Sequence, residues 1–169
     1  MSKLAFIFPG QGAQKAGMGK DFYDNSEAAR SFFDQAQKIL DFDLKEMCFG
    51  EYEELNLTEY TQPCMVSVCL AIVQELKKRG INPDITAGLS LGEYAAVAAA
   101  GGMNEMDAIK LVRRRGILMQ STVPAGEGAM AAVLGLDAKK IEEILESFEN
   151  VWIANYNCPG QIVITGLTN

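Results

Sequence analysis

The sequence predicts an α/β protein with a largely parallel sheet, followed by a smaller segment of different texture. Three observations carry that prediction. Short apolar runs closed by glycine or proline alternate with longer runs of helical period through residue 125. After Pro124-Ala125-Gly126 the order becomes strand, helix, strand, strand. Hydrophobic residues make up 49% and charged residues 22% of the 169 positions, the balance of a packed chain and far from the disordered regime.

Each element has its own warrant. Leu4 to Phe8 is apolar, stops at Pro9-Gly10 and is too short for a signal-peptide core, so it reads as a buried strand. It runs into the loop Pro9 to Gln14. Helical patterns follow over Ser26 to Leu40, with Ser26 placed to cap it, and over Gln62 to Arg79, which Gly80, Asn82 and Pro83 stop. Ile85 to Leu89 forms a short strand that leads through Ser90 into a helix over Leu91 to Ala100. Gly101-Gly102 breaks that helix, and another covers Glu105 to Ser121. Ala129 to Leu134 reads as a strand, and Asp137 caps a helix running to Phe148. Val151 to Tyr156 and Gln161 to Gly166 are strands joined by the turn Asn157-Cys158-Pro159-Gly160. This β-α-β-β order begins a ferredoxin-like β-α-β-β-α-β unit, with Thr168 or Asn169 suited to cap the next helix. Residues 1–125 therefore read as an incomplete large subdomain that lacks later strands, and residues 126–169 as the first part of a second.

A net charge of −7, from 22 acidic and 15 basic residues, argues against nucleic acid, which needs a basic footprint. No stretch is long enough to span a membrane, and Ala95 to Ala100 reads as a buried helix. Cys48, Cys64, Cys69 and Cys158 show no CxxC spacing, and the sequence has no histidine, so a metal site would rest on cysteine and carboxylate alone. The thiols read as reduced and packed, in a cytoplasmic protein.

Three motifs carry chemistry. Gly88-Leu89-Ser90-Leu91-Gly92 fits G-x-S-x-G, a strand-to-helix turn that exposes a serine hydroxyl beside the positive end of a helix. The same residues, Ser90-x-x-Glu93, also spell a capping box that needs no catalysis. Pro9-Gly10-Gln11-Gly12-Ala13-Gln14 lies at the carboxyl end of the first strand, where α/β sheets bind ligands, and can aim backbone N–H groups at an oxyanion. It lacks the spacings of phosphate-binding loops. On the helix around Lys110 to Gln120, the residues Ala108, Leu111, Val112, Leu118 and Met119 define an apolar stripe that contains Arg115, while Arg113 and Arg114 point toward solvent. A guanidinium on a buried face needs a protein carboxylate or a ligand carboxylate, and periodicity does not choose between them.

Together these segments resemble the malonyl-CoA:acyl-carrier-protein transacylases and the related acyltransferase domains of polyketide synthases. The resemblance adds Gly17-Met18-Gly19, Thr61-Gln62-Pro63, Arg115-Gly116, Gly128 to Val133 and Asn155 to Gln161, in family order over the whole chain. It implies an α/β-hydrolase-like sheet and a set of roles. Ser90 would accept the malonyl group, and the backbone N–H groups of Gln11 and Leu91 would form the oxyanion hole. Arg115 would hold the malonyl carboxylate, with Gln62 and Asn157 near the pocket. The acyl group would pass from malonyl-CoA to the phosphopantetheine thiol of acyl carrier protein, in fatty-acid biosynthesis, by a ping-pong exchange with no cofactor.

Two departures qualify the resemblance. Leu89 stands where the family has histidine before the nucleophile, which implies altered pocket packing. The family's general-base histidine lies beyond Asn169, and losing such a group costs on the order of 10⁴–10⁶ in turnover. The expectation is a chain inactive alone: an incomplete sequence, a proteolysed product, or a half completed by a second polypeptide. The alternatives are a serine esterase or thioesterase, and a non-catalytic fragment binding acyl-CoA or carrier protein. Lys77, Lys78, Arg79, Arg113 and Arg114 are the candidate basic patch for an acidic carrier protein.

Overall fold

A computed structural model describes residues 3–123 and 126–168. The break at Pro124-Ala125 and the capping role of Asn169 lie outside the described residues. The chain divides into two compact units, Met1–Gln120 and Ser121–Asn169.

The first unit pairs strand β1 (Ala5–Phe8) with β2 (Ile85–Gly88) in parallel, from Ala5 opposite Ile85 to Phe8 opposite Gly88. Its centre is helix α4 (Thr58–Lys78), whose Cys64, Met65, Val66, Leu70, Ala71 and Val73 are buried. A helix apolar on most of its circumference belongs inside a core. Helix α2 (Glu27–Gln37) packs on it through Ala29, Phe32, Phe33 and Ala36, and the Ser26 side chain caps α2 by accepting from the Ala29 N–H at 3.0 Å. Burying Phe32 and Phe33 stabilises this contact by about 1.5–3 kcal/mol each. Two short helices that the hydrophobic pattern does not announce, α1 (Lys20–Asn25) and α3 (Leu44–Phe49), close the far side with the rings of Tyr23, Phe33 and Phe49 in mutual contact. Helices α5 (Leu91–Ala99) and α6 (Glu105–Thr122) complete the unit. Helix α4 begins a turn earlier than the sequence predicts. Pro63 favours a helix start near itself, but here it sits inside the helix.

That proline has a consequence. It has no N–H for the Glu59 carbonyl four residues back, and Arg113 Nη1 donates to that oxygen at 2.8 Å instead. Arg113 also forms a two-pronged pair with Asp41 (2.8 Å to each oxygen), reaches the Glu59 carboxylate at 3.1 Å, and lies over the rings of Phe42 and Tyr60. The solvent-facing placement expected for Arg113 is therefore corrected: its side chain is only 13% exposed. The buried face of α6 is Ala108, Ile109, Val112 and Gly116, whereas Leu111, Leu118 and Met119, expected in the stripe, are exposed. Gly116 lets the helices touch, since a Cβ there would stand 2.8 Å from the Thr58 carbonyl oxygen and from the Glu59 Cα.

The second unit is a three-stranded antiparallel sheet in the order β3-β5-β4 (Gly128–Leu134, Gln161–Leu167, Val151–Cys158) with helix α7 (Ala138–Leu145) between β3 and β4 in sequence. The Asp137 side chain caps α7 through the Lys140 N–H at 2.9 Å. The helix stops three residues short of Phe148, whose ring is exposed. Strand β4 runs on to Cys158, which is exposed and so departs from the packed thiols expected; Cys48 and Cys64 are buried and Cys69 is half-buried. Burial pushes the Cys69 thiol up to about 11. Among the described residues, no helix is long and apolar enough to cross a membrane.

Candidate functional site

The site is built where β2 turns into α5. Gly88 and Gly92 allow that turn to close. A Cβ on Gly88 would sit 2.1 Å from the Gly92 carbonyl carbon, and one on Gly92 would sit 2.3 Å from the Phe8 carbonyl oxygen. Between them Ser90 adopts φ 49° and ψ −98°, a left-handed backbone rarely held by a non-glycine residue. The capping box is formed, with the Glu93 carboxylate accepting from the Ser90 N–H at 3.1 Å. Ser90 is exposed, and Leu91, first residue of α5, is buried. A first-turn N–H such as that of Leu91 has no intrahelical acceptor.

Arg115 reaches this turn from α6. Its Nη2 donates to Ser90 Oγ at 3.2 Å, and its guanidinium lies 5.7 Å from the centre of the Tyr94 ring. Arg115 is half-buried and pairs with no carboxylate among the described residues. Of its two neighbours, Arg113 is the one taken up in ion pairs, and its guanidinium holds the Asp41 carboxyl below the usual range.

The loop after β1 lies against the same turn. A Cβ on Gly10 would stand 3.0 Å from the Leu89 carbonyl oxygen, so Gln11 follows directly on a contact with the residue before Ser90. The Gln11 Nε2 donates to Thr58 Oγ1 at 3.0 Å, and its Oε1 accepts from Gln62 Nε2 at 3.4 Å. Gln62 is fully buried, donates also toward Met119 Sδ at 3.3 Å, and leaves its Oε1 without a partner among the described residues. Leu89, expected to alter pocket packing, turns out largely exposed, its side chain beside Gly10. Ser90, Leu91, Arg115, Gln11 and Gln62 thus gather in the first unit. Asn157 belongs to the second, on exposed β4, where it donates to Gln161 Oε1 at 3.2 Å.

Sequence reasoning missed Thr58 and Tyr94 as neighbours of these groups. Tyr94 had a signal, lying four residues after Ser90 on one helical face. Thr58 has none, because the sequence pattern starts α4 a turn later than the structure does.

As chemistry, the cluster offers a hydroxyl on a strained turn, a cation able to take an anion, and helix-start N–H groups that favour negative charge. Residues 5–169 match the acyl transferase domain. The malonyl CoA-acyl carrier protein transacylase of Bacillus subtilis is 48% identical over 98% of this chain and 54% of its own length. A solved malonyl CoA-acyl carrier protein transacylase from Clostridium perfringens superposes with a TM-score of 0.89 at 45% identity, over 99% of this chain and 54% of that one. A malonyl-transacylase solved in complex with its type II PKS acyl-carrier protein gives 0.87 at 39% identity, over 99% of this chain and 56% of that one. The chain spans about half the length of the curated relatives it matches. With the match running through both compact units, the chain belongs to the acyl transferase domain family.

Proposed function

We propose that this chain carries the acyl-accepting part of a malonyl-CoA:acyl-carrier-protein transacylase of fatty-acid synthesis. The observation that supports the reading best is the 3.2 Å contact between the Arg115 guanidinium and the Ser90 hydroxyl. A malonyl thioester carries a reactive carbonyl and a free carboxylate a few atoms apart, and this pair matches the two. Ser90 Oγ attacks the thioester carbonyl; the C–S bond breaks, coenzyme A leaves as its thiol, and the malonyl group remains as an ester. The phosphopantetheine thiol of acyl carrier protein then attacks that ester and regenerates the hydroxyl. The N–H groups of Gln11 and Leu91 take the negative charge that develops on the carbonyl oxygen. Arg115 holds the carboxylate in a two-pronged contact. Gln62 and Asn157 border the acyl pocket.

The 169 residues hold no histidine. In this reading the base that takes the Ser90 proton comes from outside them, in a second polypeptide or a further segment. The first unit is read as part of an α/β-hydrolase-like subdomain over residues 1–125. The second, residues 126–169, is read as the opening of a ferredoxin-like one, for which the β3-β5-β4 order is the support. The cytoplasm, where coenzyme A thioesters and carrier protein meet, is the proposed location. Of the basic patch proposed for the carrier protein, Arg113 is withdrawn into its own pairs, whereas Lys77, Lys78 and Arg79 make ion pairs that leave their side chains partly exposed and stand with Arg114.

Intact-mass measurement before and after incubation with malonyl-CoA tests the reading. With the segment that supplies the base present, the expected result is one malonyl group added to this chain, and its loss in Ser90→Ala; the 169 residues by themselves should gain little or no mass. An adduct that survives Ser90→Ala overturns the role of Ser90. Turnover of a neutral chromogenic ester with no malonyl adduct would assign the chain to the serine esterases instead.

A further inference from the structure

Both ends of the Gln11 side-chain amide are held by one helix: Nε2 by the Thr58 hydroxyl at 3.0 Å and Oε1 by Gln62 Nε2 at 3.4 Å. Thr58 and Gln62 are one turn apart and share a face of α4. Thr58 is itself anchored. Its N–H donates to Gln120 Oε1 at 3.0 Å, and its carbonyl oxygen lies against Gly116. Just beyond Gln11, the Gly12 N–H donates to Gln14 Oε1 at 2.7 Å, while Gln14 Nε2 donates to Asn56 Oδ1 at 3.1 Å. The peptide after Gln11 is thus tied to the residues that lead into α4.

Gln62 sharpens the argument. Its buried Oε1 has no partner among the described residues, which is unfavourable by about 1–3 kcal/mol. Packing alone favours an apolar residue of that shape, so the amide is explained by what its nitrogen holds.

We propose that Thr58 is a positioning residue: with Gln62 it fixes the Gln11 side chain, and through it the direction in which the Gln11 backbone N–H points. The inference rests on the reading of that N–H as an oxyanion donor. Such a donor stabilises charge only when aimed where the oxyanion forms, so its carrier must be held to a fraction of an ångström.

Thr58→Val keeps the shape and removes the acceptor, while Thr58→Ser keeps the acceptor. Two readouts apply: the Gln11 and Gly12 backbone amide resonances, and, with the segment that supplies the base present, the single-turnover rate of Ser90 malonylation across malonyl-CoA concentrations. Thr58→Val should move both resonances. It should also lower the limiting rate about tenfold to a hundredfold without changing the half-saturating concentration, and Thr58→Ser should restore both. Unmoved resonances, an unchanged rate, or equal losses in the two variants would overturn the proposal. If the unaltered protein, with the segment that supplies its base present, accepts no malonyl group, the function proposed for Ser90 fails and the spectrum alone decides the positioning: resonances that move in Thr58→Val and return in Thr58→Ser support it, and unmoved ones sink it.

Discussion

Helix α6 presents two arginines to two very different surroundings. At the α4 junction Arg113 meets two carboxylates, the carbonyl that Pro63 leaves free, and two aromatic faces. At the Ser90 turn Arg115 meets a hydroxyl and one ring. Both carry the same charge, so the difference lies in how far each guanidinium is satisfied. A planar cation with five donors that is satisfied by its own chain fastens two helices. One left with a hydroxyl retains donors for an anion brought from elsewhere.

The largest effect expected is at the backbone that holds the Ser90 turn. Gly88→Ala or Gly92→Ala drives a methyl into backbone atoms, and should cost about 3 kcal/mol or more; soluble yield and the urea midpoint check it. Next comes Arg113→Met, which strands the Glu59 carbonyl and two carboxylates and should cost about 2–3 kcal/mol in denaturant unfolding. Stability within about 0.5 kcal/mol of the unaltered protein would break the comparison by making Arg113 dispensable.

Arg115→Ala sharpens the comparison from the other side. Stability should change by less than about 0.5 kcal/mol. With the segment that supplies the base present, competition between malonyl-CoA and acetyl-CoA for Ser90 should move at least about tenfold toward acetyl, the loss of a charge-assisted contact. An unchanged preference would remove the carboxylate role.

The smallest effect concerns pH. Arg113 lowers the pKa of Asp41, so the stability this pair contributes is complete above the ordinary aspartate value of about 3.9 and fades as pH falls below it. The gap in thermal midpoint between the unaltered protein and Arg113→Met should therefore narrow from pH 7 to pH 3. A gap that holds constant would mean that the freed carbonyl and ring contacts, rather than the Asp41 charge, account for Arg113.

The two regions also differ in how well the sequence reports them. The strand, turn and helix around Ser90 are legible because glycine spacing, a capping box and an apolar run all act within a few residues. The apolar stripe that singles out Arg115 is only partly real, since its Leu111, Leu118 and Met119 are exposed. The helix gives Arg115 only half of the buried orientation that the stripe predicts. Arg113 is not legible, because its environment depends on a proline fifty residues earlier and on Asp41, neither of which leaves a periodic trace. The small helices α1 and α3 escape for a similar reason: at six residues each, they are too short to develop a repeat and exist through tertiary packing.

The backbone angle at Ser90 reaches beyond the laboratory variants. Serine is held there at a cost of about 1–3 kcal/mol, whereas glycine adopts the same angles freely. The role proposed for the hydroxyl therefore works against the chain's own folding at that position. In a gene copy freed of the role proposed for Ser90, Ser90→Gly is the drift that both removes the hydroxyl and steadies the protein. Silent descendants of this domain should accumulate it sooner than neutral change alone would bring it.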